Sequence, residues 1–197
     1  MRSVSNTLLA VFCGVLTGAL SSWAIEPVSD LRLSIPGLPS DAFPIATPLS
    51  IAAGVPFGLL GALFVWRVLR FTLPQVLLFS VLSIVGMFAA AEAATWAFLI
   101  PLPPFDESFF LAYLAASPIG ALILAGPMML WRRGAGALQT LWRAVAWPTG
   151  AALLVAFTMV AMGSDDALNL PWSAALFCSW QALFLYAFAQ RPHIPLG

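Results

Sequence analysis

The chain has 197 residues, 61% of them hydrophobic and only 8% charged, with a formal net charge of zero. A water-soluble domain carries about 25% charged and about 45–50% apolar residues. One this apolar would expose patches that drive association, so a water-soluble globular fold is excluded. Eight Arg stand without a single Lys, and no basic stripe exists for nucleic acid.

A bilayer core about 30 Å thick takes about 20 apolar residues to cross as a helix. Six runs reach that length, over residues 7–25, 45–66, 75–98, 109–131, 144–162 and 171–188. The first follows Arg2 and carries Gly14, Thr17 and Gly18. Its basic start and Ser22-Trp23-Ala24 also fit a cleaved signal peptide. It is long for a signal, however, and glycines four residues apart suit helix packing, so a retained helix is expected. The connection 26–44 holds four Pro and three acids.

The second run contains Pro48, Gly54, Pro56 and Gly58 and is followed by Arg67 and Arg70. In the third, Glu92 sits within a run of alanines, and Pro101, Pro103 and Pro104 stop the helix. Ser117, Pro118 and Pro127 fall in the fourth. Residues 134–141 are expected to lie along a membrane face before the fifth run, which contains Pro148. Pro56 and Pro148 occupy matching helices of a three-plus-three inverted arrangement. Gly163 to Pro171 separates the sixth run, which carries Cys178, Trp180 and Gln181.

These runs are apolar on all faces and do not alternate as barrel strands do. Lipid offers no partner for backbone polar groups, so they read as helices. The expectation is an all-α, six-transmembrane-helix bundle formed as a single transmembrane domain over residues 1–197. Six crossings place Arg2, Arg67, Arg70, Arg132, Arg133, Arg143 and Arg191 on one side, leaving Arg32 with seven acids on the other. The Arg-rich side is read as cytoplasmic, with both termini there. Trp23, Trp96 and Trp172 fall near one set of span ends and Trp66, Trp131, Trp142 and Trp147 near the other, as an aromatic belt requires; Trp180 alone is mid-span.

Glu92 is the one ionisable residue deep within a span. A carboxylate at a bilayer centre costs roughly 2.5–3.5 kcal/mol on insertion scales, so it is either a site facing the bundle interior or a group reaching outward to water. At about 1.5 Å per residue, Gln181, Ser117 and Thr17 lie near its depth. Together with Glu92 they form a candidate solute- or proton-binding layer, in which Gln181 or Ser117 would hydrogen-bond Glu92. A proline kink at Ser117–Gly120 could then open a cavity beside it. The competing view is that Ser and Thr in membrane helices bond their own backbone. Gly14, Gly18, Gly54 and Gly58 are assigned to helix packing, internal or between copies.

No catalytic residues are assigned. His-Glu-x-x-His, phosphate-loop and nucleophile-elbow motifs are absent, and Ser117 and Ser179 have no intramembrane His or Lys as base. Cys13 and Cys178 with one His do not make a metal-ligand set, no disulfide framework is expected, and no cofactor is implied; without Lys a retinal-type Schiff base is excluded. Asp165 and Asp166 read as a solvated loop. The expected partners are the lipid bilayer and, beyond it, a second copy or other membrane subunits.

Three functions are open to such a chain. One is binding or permeation of a small solute, alone or within a transporter. The second is an accessory or assembly subunit of a larger membrane complex; the third is a membrane-embedded lipid-modifying enzyme. A solute site needs a cavity lined by Glu92 or Gln181, whereas an assembly subunit should have a filled interior and a partner-facing groove. Arg in place of Lys, with abundant Ala, Gly and Pro, suggests a GC-rich bacterial genome and hence an inner (plasma) membrane.

Overall fold

The computed structural model describes residues 2–25, 27, 46–98, 109–131, 136–163 and 170–190. They form six helices: α1 (Arg2–Ile25), α2 (Ala46–Leu69), α3 (Leu73–Phe98), α4 (Phe109–Trp131), α5 (Ala137–Ala161) and α6 (Leu170–Ala189). All six are long and apolar enough to cross a membrane. This is the all-helical bundle expected of a multi-pass membrane protein. The connection 26–44 (except Pro27), the Arg132–Arg133 pair, Asp165–Asp166 and the tail from Arg191 lie outside the described residues.

One boundary differs in kind from the sequence reading. Residues 137–141 are not a separate surface segment; they are the first turn and more of α5. Gly136 takes φ 93°, a left-handed conformation that glycine adopts without strain. Thr140 then donates its hydroxyl to the Gly136 carbonyl at 3.1 Å. The amphipathic composition around Gln139 and Arg143 masked a helix whose other face is buried at Thr140 and Ala144.

The turn between α2 and α3 is short and built from local hydrogen bonds. Arg70 takes φ 57° and ends α2. Thr72 precedes α3, and its backbone N–H donates to Gln75 Oε1 at 2.9 Å. That is half of a capping box, a Thr followed three residues later by Gln. Phe71 meets Trp131 edge-on at 5.7 Å, tying this turn to the end of α4.

Consecutive helices pack side by side and α6 returns to α1, so the six close into a ring; α2 also touches α6 across it. Close approach is made by small residues, since lipid supplies no hydrophobic drive for helices to associate. A Cβ on Gly14 would overlap the backbone of Ala182, and one on Gly18 that of Cys178. Likewise a Cβ on Gly54 would fall 2.8 Å from Ile84 Cα, and Gly58 sits against Ser80 and Ser83. Gly86 and Gly120 bring α3 and α4 together. Both four-residue glycine pairs are therefore used inside the chain, α1 on α6 and α2 on α3.

The ring's centre is aromatic. Trp180, Phe184 and Phe188 follow one another down one face of α6. Phe57 from α2 meets Trp180 and Phe184 edge-on at 6.1 and 5.9 Å and Phe79 of α3 at 5.7 Å. Outward faces carry Leu8, Phe12, Leu59, Leu63, Leu154 and Phe157, all largely exposed. Trp23 and Trp96 are each 67% exposed near their helix ends, whereas Trp180 is 7% exposed. Trp180 thus lies within the core, Trp131 and Trp147 pack partly buried against it, and Trp23 and Trp96 face outward.

Candidate functional site

Glu92 lies on α3 with its outward stripe. Val81, Val85 and Trp96, at eleven and seven residues before and four after it, are all exposed. That spacing brings them to one face of a 3.6-residue helix. The opposite face carries buried Phe79, Ser83, Gly86 and Ala97, and Ala90 abuts Gly120 of α4. Two residues from Ala90 is more than half a turn, which turns Glu92, itself partly exposed, away from the ring centre.

Gln181 and Ser117 do not reach Glu92. Gln181 is fully buried, and its Nε2 donates to Ser21 Oγ at 3.1 Å. Ser21 in turn donates to the Ala53 carbonyl at 2.7 Å. Its proton is thereby committed, so the Gln181 amide must present N–H to Ser21. A second chain starts from the adjacent residue. Trp180 Nε1 donates to Ser117 Oγ at 2.8 Å, Ser117 and Thr149 hydroxyls lie 3.1 Å apart, and Thr149 donates to the Val145 carbonyl at 2.7 Å. Because Thr149 donates onward, Ser117 must donate to Thr149.

The two chains leave neighbouring residues of α6, one passing through α1 to α2, the other crossing to α4 and passing from there to α5. Each ends on a carbonyl three residues before a proline, Ala53 before Pro56 and Val145 before Pro148. A proline inside a helix removes an N–H and pushes the preceding turn open. The carbonyls that Pro56 and Pro148 leave without a helical N–H are those four residues back, Ala52 and Ala144, each next to the carbonyl that a hydroxyl bonds.

The layer expected from depth is accordingly corrected. Helix rise places residues at one height but is blind to which way they turn around the axis. Glu92 is on the perimeter, Gln181 and Ser117 belong to separate networks, and Thr17, fully buried, bonds the carbonyls of Cys13 and Gly14 in its own helix. At the Ser117–Gly120 segment, a Cβ built on Gly120 would meet Ala90 of α3 at 3.4 Å and the Trp180 ring at 3.8 Å, so this glycine faces packed side chains. Trp180 was the residue to find; its mid-span position, away from either aromatic belt, was the signal.

Ser22 and Ser173 add a further link between α1 and α6, their hydroxyls 2.8 Å apart. Ser80 and Ser83 donate to the Gly58 and Gly54 carbonyls, joining α3 to α2. Cys13 and Cys178 are free thiols, and Cys178 Sγ approaches the Val15 carbonyl at 3.4 Å. Among the described residues no three His, Cys, Asp or Glu side chains gather as a metal site. No family model, curated protein or solved structure matches the chain.

Proposed function

We propose that this chain is an accessory or assembly subunit of a membrane complex, whose α3 receives a transmembrane helix of another protein at Glu92. The observation that carries this reading is the outward position of the one acid among the six spans, in a ring whose centre is filled by Phe57, Phe79, Trp180 and Phe184. A carboxyl group turned toward hydrocarbon is offset when a neighbouring helix brings a hydrogen-bond donor or a cation. α3 is also the least enclosed span, 17% buried against 28–44% for the other five. Val81, Val85 and Trp96 supply apolar contact around the carboxyl. The fitting partner is an apolar helix with one Arg, amide or hydroxyl donor about one turn inside its aromatic belt.

The Arg distribution supports an orientation with both termini in the cytoplasm, and the Arg-for-Lys bias supports a bacterial inner membrane. The test of the assembly role is native-gel sizing of the tagged chain in mild detergent, with a photo-cross-linker at Val85 and, as control, at Leu154. A complex larger than the chain, cross-linked from Val85 alone and lost in Glu92→Leu, is expected. Unchanged complex size and cross-links in Glu92→Leu would reject the role.

A second reading, binding or permeation of a small solute, draws on one observation: the side-chain oxygen of Gln181 is buried without a partner among the described residues. Loss of uptake in Gln181→Met, with the folded chain retained, would favour it over assembly.

A further inference from the structure

We infer that the junction of α1, α2 and α6 holds one internal water molecule, which donates one proton to Gln181 Oε1 and the other to Thr17 Oγ1. Gln181 is fully buried and its Oε1 has no hydrogen-bond partner among the described residues. The amide cannot be turned round to cure this. Ser21 spends its proton on the Ala53 carbonyl, so only the N–H end of the amide can face it. The oxygen is left pointing elsewhere, and a buried acceptor without a donor is rare in folded proteins.

Thr17 supplies the second acceptor. Its hydroxyl proton is directed to the carbonyls of Cys13 and Gly14, so only lone pairs remain on its oxygen. Its position is right: Gly14 packs against the backbone of Gln181 and Ala182, while the Gln181 amide reaches Ser21 about two turns further along α1. Thr17 lies between those two points on the same buried face, with Gly14, Gly18 and Ser21. The guest must therefore bring two protons to two acceptors.

No Asp, Glu, Lys, Arg or His occurs in α6 or in α1 beyond Arg2, and in α2 the one such residue is Arg67 in its last turn. An ionised guest would be stripped of water with no counter-charge, which is prohibitive in an apolar interior. The guest is thus neutral. Glycine-mediated contact between α1 and α6 leaves little room, and a buried water makes two to four hydrogen bonds, so a single water fits the requirement.

The test uses the full chain in a phosphocholine detergent that has no exchangeable hydroxyls, deuterated and labelled with 15N-glutamine. The Gln181 side-chain amide is assigned by its loss in Gln181→Met. A water-to-amide NOE with the sign of a long-lived bound molecule is expected. It should disappear in Thr17→Val, with the Gln181 signal retained, and persist in Thr17→Ser, which keeps the oxygen and guards against a variant that misfolds. A resolved Gln181 amide without a water NOE would overturn the inference, as would an NOE that survives Thr17→Val. Saturable shifts with sodium chloride, but not with choline chloride, would replace the water by a cation and overturn it equally.

Discussion

Glycines of identical chemistry have opposite roles here. A methyl group on Gly14 would collide with the α6 backbone, whereas one on Gly150 meets nothing within 4 Å. Overpacking costs typically 1–3 kcal/mol, so Gly14→Ala should lower the melting temperature in detergent. Gly150→Ala should raise it slightly, since a glycine inside a helix is about 0.5–1 kcal/mol worse than alanine. Equal shifts in the two variants would contradict the packing described. Trp180→Phe removes the donor to Ser117 while keeping an aromatic ring in the core, and a lost buried hydrogen bond is worth about 0.5–1.5 kcal/mol. Combined with Ser117→Ala it should be less than additive in thermal unfolding, because both substitutions delete the same bond. Which residues mattered was only partly legible: Gln181, Ser117 and Thr17 are visible as polar letters in apolar runs, but their partners depend on rotation about each helix. Glu92 was equally visible, and its direction was not.

At the level of elements, helix ends and helix neighbours follow different rules. The cap of α3 is local and could be read from Thr72 and Gln75 alone. Gln75→Ala should loosen the first turn of α3, seen as faster amide exchange from Thr72 to Val76, with α6 unaffected. The pairing of α1 with α6 is non-local: Gly14 and Gly18 announce a close contact, but nothing in the string names Ala182 and Cys178 as its floor. Their proximity can be tested at the hydroxyl pair. In a background of Cys13→Ala and Cys178→Ala, Ser22→Cys with Ser173→Cys should oxidise to an intramolecular disulfide, giving a gel-mobility shift reversed by reductant. Failure to cross-link under oxidant would remove the ring closure.

For the whole molecule, the ring is closed by α6, which holds the centre with Trp180, Phe184 and Phe188 and sends hydrogen bonds both ways. The orientation proposed from Arg placement makes a distinct prediction. With native thiols replaced, Gln139→Cys at the start of α5 should react with an impermeant maleimide only after cells are permeabilised, and Met162→Cys at its other end in intact cells. The reverse pattern would invert the orientation. Hydrophobic length and charge spacing are properties of the linear chain, because the thickness of a bilayer and the cost of moving Arg through it act on each segment separately. They sufficed for the number of spans, most of their limits and the sidedness proposed. Ring order, the filled centre, the outward turn of Glu92 and the unpartnered oxygen of Gln181 come from which faces meet. In lipid every face is nearly as apolar as the next, so hydropathy is silent there, and shape and hydrogen bonds between distant residues make the choice.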